Sequence, residues 1–440
     1  MTRLHTRPPG RVGSLWVAML AVGLAAALSA CGGPAAAPGP TPTGPTPTVT
    51  VPVEMPVVIS LVGFFDDQTL ALLDSQIAAF EAANPDVRVE LVAAEGDAEA
   101  RRREFARYLA AGDTSRDIYL LNSYWLAEFA AGDWLLPLDG YMQAGGLVPE
   151  LFLPPAAAAS TIDGHWLALP WTADAGLLFY RRDLLDEVPG TWPGLADAVA
   201  RVVDPGGTPY GLVWQGAAYE TLTCATLEFI WTFGGQVLDT QGRPTFDTPQ
   251  TRAALQQMAD LVERGLAPPE VATYREAAAL AAFENGETVA MRNWFYAWDR
   301  LEAPDAPLAG RVAIAPLPAS CLGGQSLALA AGSLYPAQAF RFVAFLAGHE
   351  QQVRLGREGV QPPARATVYR DEELLQARPA LRSFYDAVSL ARPRPPSPAY
   401  RAISEAIYTE VNALLRGEQD AAATAAAVQA RLEATLQSSP

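Results

Sequence analysis

The stretch LALPWTADAGLLFYRRDLL, residues 167–185, sets Trp171 three residues ahead of Asp174 among apolar and small side chains. An indole and a carboxylate together suit a polyhydroxylated ligand, whose C–H face stacks on an aromatic ring while its hydroxyls donate to carboxylate oxygens. A strand-to-helix corner accounts for the rest of the segment: Leu167 and Leu169 buried, Pro170 ending a strand, and a helix over 176–185. That corner needs neither the ring nor the charge, although an aromatic at a corner is by default part of a core. Further aromatic groups lie beside polar residues at expected loops: Tyr124 with Trp125, VWQGAAYE at 213–220, and RNWFYAW at 292–298. One such group would be core; four suit a wall around a carbohydrate.

Enzyme signatures are missing from the sequence: no G-x-S-x-G elbow, no phosphate loop, no G-x-G-x-x-G after an expected strand, no H-E-x-x-H. With 48 acidic residues, a carboxylate pair about 5 to 9 Å apart, as a glycoside hydrolase needs, stays open. A hydrolase is therefore one alternative, and a non-catalytic adhesion module is another. Of the histidines, His5 falls in the leader, and neither His165 nor His349 has metal-ligand spacing to a partner, so no metal or cofactor is expected.

The amino terminus carries Arg3, Arg7 and Arg11, an apolar run over 15–28, and LSAC ending at Cys31. A basic start, a core too short to span a membrane comfortably and small residues before a cysteine form an export signal of the lipoprotein kind. Residues 1–30 would be removed and Cys31 lipidated, which places the chain on the outer face of the cytoplasmic membrane. The Pro, Gly, Thr and Ala tract over 31–55 cannot bury apolar surface and reads as a tether. Loss of three arginines and no acid takes the formal charge from -17 to -20. Arginine supplies all 31 positive charges. Nucleic acid and anionic lipid headgroups are poor partners for such a surface. Cys224 and Cys321 remain; in an oxidising compartment they either pair or stay buried as free thiols.

The elements that must position these residues follow from periodicity. The mature chain, about 390 residues, suits two lobes rather than one core. VVISLVGF is a short apolar strand; Leu70, Leu73, Ile77 and Phe80 then recur at helical spacing, and Val87, Val89 and Leu91 share one face of a second strand. A charged helix with Phe105 and Leu109 inward, the strand DIYLL and a helix through YWLAEFA follow. This alternation implies an α/β fold with a mostly parallel sheet, its ligand crevice beyond the carboxyl ends of the strands, at residues 64–68 and 122–125. The middle, 173–300, reads as mainly helical, with Thr248, Pro249 and Gly265 as start and stop signals of one helix. RVAIAPLP reads as a strand where the chain crosses back into the first lobe, and PPARATVYRDEEL as a further crossing. The division is 56–168 with 308–365 for lobe 1, and 169–307 with 366–440 for lobe 2.

The segments FEAANPDVRVELV, LAAGDTSRDIYLLNSYWLAEFAAGDWLLPLDGYM, LALPWTADAGLLFYRRDLL, GLVWQGAAYETLTCATLEFIWTFGG, FENGETVAMRNWFYAWDRL and CLGGQSLALAAGS occur in this order. The chain resembles, over nearly all of its length after the tether, the extracellular solute-binding proteins of sugar ABC importers, in particular the trehalose/maltose-binding branch. The resemblance implies a two-lobed clam-shell of the type II periplasmic-binding-protein class, hinged between lobes, that closes on a di- or oligosaccharide and presents it to a membrane permease as a monomer without catalysis. It also implies site residues: Asp174 as acceptor of sugar hydroxyls flanked by Trp171, Trp294 as stacking floor with Tyr296 beside it, and Arg394 as a donor from the carboxyl-terminal lobe. An arginine of EARRREF should contribute, Arg102 in preference to Arg101. In the first loop Asp66 and Asp67 are candidates, Asp67 the one retained. Two departures bear on the ligand: Asn122 stands where the branch has an aspartate, and Gly324 is followed by Gln325 where the branch has a tryptophan. Phe295 replaces the branch's proline and can refill part of that surface.

Overall fold

The computed structural model describes residues 55–359 and 361–437; the leader, Cys31 and most of the tether lie outside them. The first sheet grows from strand β1 (Val57–Gly63), parallel to β2 (Val87–Ala93) on one side and β3 (Ile118–Asn122) on the other. Ile59, Leu61, Ile118 and Leu120 are buried, because helices cover both faces of these strands and leave no polar side. The helix Asp67–Ala83 follows β1, with Asp66 Oδ1 accepting from the Thr69 N–H at 2.7 Å; the helix Ala98–Ala110 follows β2, with Asp97 capping Ala100 at 2.9 Å. Each cap contributes about 1 kcal/mol and fixes where its helix begins, beyond the carboxyl end of a strand.

A short hairpin, β4 (Thr161–Ile162) and β5 (His165–Trp166), precedes the edge strand β6 (Leu169–Pro170). Proline is tolerated there because an edge strand does not need its N–H. Between β6 and β3 runs β13 (Gln325–Leu329), antiparallel to both, so the first sheet is mixed, in the order β2-β1-β3-β13-β6.

The segment expected as a helix over 176–185 is instead strand β8 (Leu177–Arg181). Leu177, Leu178 and Phe179 are fully buried in the middle of a second sheet, where a strand covered on both faces shows a continuous apolar run with no alternation to distinguish it from a helix. Its antiparallel neighbours are β10 (Thr288–Asn293) and β11 (Val312–Pro316), and β9 (Tyr210–Val213) lies parallel to β10. The middle of the chain is therefore less helical than its sequence implies. It also keeps β11, the strand expected to return to the first lobe, in the second sheet through pairing of Val312 with Arg181 and Pro316 with Leu177. The helix Pro249–Glu263 is as read, with Thr248 Oγ1 accepting from Thr251 N–H at 3.2 Å and Gly265 at φ 66.

Three segments run together between the sheets. Strand β7 (Asp174–Ala175) pairs with β12 (Leu322–Gly323), Trp171 N–H donates to Gln325 C=O at 3.0 Å, and Ala173 N–H donates to Pro362 C=O at 3.0 Å. Gly324 makes this crossing possible: its φ is 98, and a Cβ there would lie 2.4 Å from Thr172 O. Among the described residues no helix is long and apolar enough to cross a membrane.

Candidate ligand-binding cleft

A cavity of about 780 Å³ opens beside these crossings, where the carboxyl ends of β1 and β3 face the end of β10. Asp174, Trp294, Trp171, Asn122, Arg394, Gln325, Gly324, Arg102 and Tyr296 all line it, whereas Asp67 does not. The first-loop carboxylate at the cavity is Asp66, one residue earlier, because the helix cap turns Asp66 across the helix end and leaves Asp67 in the first turn.

The deep wall is built by β7 and the residues just after β10. Asp174 Oδ1 accepts from Ala175 N–H at 2.8 Å and Phe295 N–H at 3.2 Å, which leaves the lone pairs of Oδ2 for a ligand hydroxyl. Burial pushes this carboxyl up to about 7, opposed by the two backbone bonds and the nearby Arg292 charge. Trp294 starts the turn after β10, its N–H bonded to Asn293 Oδ1 at 2.9 Å, with the Arg292 guanidinium 4.1 Å from its ring centre. Gly323 lets carboxylate and ring come together: a Cβ there would lie 3.0 Å from the Trp294 ring and 3.1 Å from Asp174 Cβ. Phe295 is buried against Phe384, so it packs the second lobe and does not restore a stacking surface in the cavity beyond its edge.

Two amides form the floor on the first-lobe side. Asn122 ends β3 directly opposite Gln325, the first residue of β13, and donates to Tyr124 Oη at 3.3 Å. Arg394 closes the third side: it donates to Glu220 Oε1 at 3.0 Å and Leu322 C=O at 2.7 Å, and lies over the Tyr124 ring at 4.1 Å. Glu220 also accepts from Tyr400 Oη at 2.6 Å and Ser404 Oγ at 2.5 Å, so it organises this corner. Sequence reading placed Glu220 at the end of the aromatic group at 213–220 without giving it a role, and it missed Tyr400; Glu220 is the acid in the first turn of the helix Glu220–Thr232.

Two expected contributors play other parts. Arg102 spends its guanidinium on Glu99, at 2.9 and 2.7 Å, and on Glu128, at 2.5 Å. Arg101 lies over the exposed Phe64 ring at 4.7 Å and bonds the Gly96 carbonyl, with no carboxylate partner among the described residues, so it is the arginine of this helix better placed to donate to a ligand. Trp171 is only 2% exposed and packs in the first-lobe core, its backbone held by Gln325, Gln352 and Ala364, while its Nε1–H has no partner among the described residues. Cys224 and Cys321 are free and fully buried, and burial, with Cys224 beside it, pushes the Cys321 thiol well above its ordinary value.

Comparison with known proteins places this geometry. The sequence profile described as "Bacterial extracellular solute-binding protein" matches residues 67–353. A probable ABC transporter-binding protein of Deinococcus radiodurans is 33% identical over 348 residues, 74% of this chain and 81% of its own. The maltotriose-binding protein of Pyrococcus abyssi is 24% identical over 69% of this chain and 67% of its own. Among solved structures, maltose-bound MalE3 of T. maritima superposes with a TM-score of 0.75 at 34% identity, covering 86% of this chain and 99% of that one. With the profile spanning most of the chain and the two-lobed α/β fold in common, the protein belongs to the bacterial extracellular solute-binding protein family.

Proposed function

We propose that this protein captures a sugar, a di- or oligosaccharide such as maltose or trehalose, between its lobes and delivers it to the permease of an ABC importer, with no chemical step. The observation that carries the reading is the deep wall: one carboxylate with free lone pairs beside one indole ring, facing two side-chain amides and an arginine across about 780 Å³. That set matches the alternation of C–H faces and hydroxyls around a pyranose. The maltose and maltotriose of two relatives support it; a mannitol-binding relative, 25% identical, puts polyols in the test panel as well.

Because Asn122 and Arg101 come from one lobe and Asp174, Trp294 and Arg394 from the other, a ligand touching both would stabilise a closed arrangement. The lobes proposed from sequence, 56–168 with 308–365 and 169–307 with 366–440, then pivot on the three crossings near Thr172, Gly324 and Pro363, with β6 and Trp171 staying with the first lobe and β11 moving with the second. The export signal and LSAC support lipidation of Cys31, which would hold a monomer at the outer membrane face near its permease. Calorimetry with maltose, trehalose, maltotriose and mannitol tests the central claim, and micromolar or tighter binding of one of them is expected. Hydrolysis of chromogenic glycosides, or no binding to any sugar, would overturn it. Changing Cys31→Ser should move the protein from the detergent phase to the aqueous phase.

A further inference from the structure

Beneath the Trp294 ring lies a charge pair that ligand contact does not explain. Arg292 and Glu228 are each about 1% exposed and joined by two bonds, Nε to Oε2 at 3.0 Å and Nη2 to Oε1 at 2.7 Å. The remaining donor, Nη1, reaches Gln215 Oε1 at 3.2 Å, and Gln215 Nε2 returns a bond to the Arg292 carbonyl at 3.1 Å. A buried pair of this kind contributes little net stability compared with well-packed apolar side chains, so its place in the fold calls for another reason.

Its neighbours supply one. The guanidinium carbon, Cζ, lies over the Trp294 ring, 4.1 Å from its centre. Glu228 Oε1 also accepts from Cys321 N–H at 3.1 Å, two residues before Gly323, the glycine against which Trp294 and Asp174 both pack. On the other side the pair touches Gly176: a Cβ there would lie 1.9 Å from Glu228 Oε1 and 2.7 Å from Arg292 Nη2. Gly176 N–H in turn donates to Cys321 C=O at 3.1 Å, and Gly176 follows the two-residue strand that carries Asp174. One rigid ion pair thus abuts all three segments that make the deep wall: 174–176, 292–294 and 321–323.

We propose that the Arg292–Glu228 pair is a positioning element for ligand binding, holding the Trp294 ring and the Asp174 carboxylate in one fixed geometry. The proposal rests on the reading of Trp294 as a sugar-stacking ring. A planar guanidinium suits the task because it can stack on an indole and still satisfy a carboxylate with its forked donors, which lysine cannot do. Fixing the ring before the ligand arrives removes the cost of ordering it on binding.

The test uses Arg292→Met with Glu228→Met, which removes both charges and leaves no lone buried ion. Maltose affinity is measured by calorimetry in the parent and in a Trp294→Ala background. The expected result is a loss of about tenfold in the parent background and a clearly smaller one, about two- to threefold, when Trp294 is already absent and only the hold on Asp174 remains. Unchanged affinity in the parent background, or the same loss in both backgrounds, would overturn the proposal. A second readout needs no sugar: the indole Nε1 resonance of Trp294, assigned by its loss in Trp294→Ala, should shift or broaden in the double variant, and an unchanged sharp line would count against positioning. If Trp294→Ala alone leaves maltose binding intact, the sugar-stacking reading fails while the indole resonance still reports on the pair. Should the double variant fail to fold, Arg292→Lys, which keeps the charge and loses the planar fork, is read in the same ways.

Discussion

Asp174 and Asp66 face the same cavity from opposite walls, and they are held in opposite ways. Asp174 is fixed by backbone N–H groups of its own strand and of the turn after β10, in a setting poor enough in water to push its carboxyl up to about 7. Asp66 has one oxygen committed to a helix cap and shares its wall with Phe64, which is 48% exposed, and with Arg101. A preorganised wall carries affinity because its groups lose little freedom when the ligand arrives, whereas an outer wall of exposed side chains must be ordered on binding. The deep wall should therefore dominate the binding free energy, and the outer wall should adjust it.

Breaking the deep wall gives the largest expected effect. Asp174→Ala removes hydrogen bonds to an ionised acceptor, each contributing roughly 1.5 to 3 kcal/mol, so sugar affinity should fall by about one to two decades. Trp294→Ala should do comparable harm by deleting the stacking face. Calorimetry beside a ligand-free melting curve checks both, and retained binding in either would move the site elsewhere. By contrast Asp66→Ala should cost about 1 kcal/mol of stability through its cap, with a smaller change in affinity.

The next effect is on pH, and its sign differs for stability and binding. A carboxyl raised in the folded state to about 7 contributes stability that is fully present below its unfolded value near 3.8 and is lost as pH rises through 7. Hydroxyl donors prefer the ionised form, so affinity should rise over the same interval and fall by up to ~10-fold per unit below it. The Asp174→Asn variant, which cannot titrate, should lose both trends. A parent whose affinity is flat between pH 5.5 and 8.5 would show that Asp174 does not meet the ligand.

The sequence disclosed the deep wall better than the outer one, for physical reasons. Asp174, Trp294 and the Gly323-Gly324 pair sit in a locally distinctive context of rings, carboxylate and glycines that no ordinary corner requires, and all four residues lie at the cavity. The α/β class was legible from alternating strand and helix patterns in residues 57–122. Strand β8 was not, because burial on both faces erases the period-2 signal, and β11 could not be assigned to a sheet because pairing is a long-range choice. On the outer wall, EARRREF offers three adjacent arginines, and which one a carboxylate claims depends on Glu128, 26 residues away.

That choice makes the third prediction. Arg102→Ala removes the arginine that pairs with Glu128 and the closer of the two that pair with Glu99, which keeps Arg103 at 3.5 Å, and should cost about 1 kcal/mol of stability with little change in affinity. Arg101→Ala should spare stability and weaken sugar binding a few-fold, if the freer guanidinium reaches the ligand. Paired melting and calorimetry separate the two, and a reversal of these roles would restore the assignment to Arg102.

The smallest expected effect belongs to Trp171, the ring whose spacing from Asp174 first suggested a sugar. Buried in the first-lobe core, on one crossing and tied by its backbone to the other two, it offers a ligand almost no surface, so Trp171→Phe should alter affinity by less than about twofold. Stability should fall by about 1 to 2 kcal/mol, the loss from a smaller core side chain being partly offset by removal of an indole N–H that has no acceptor among the described residues. That orphan donor also supplies the contrary outcome. Trp171 borders the cavity, and a buried N–H gains most from an acceptor that arrives with a ligand. A tenfold loss of affinity in Trp171→Phe, with the melting temperature little changed, would show that the indole donates to a sugar oxygen. The ring would then belong to the deep wall beside Asp174, as an edge-on hydrogen-bond donor and not as a stacking face.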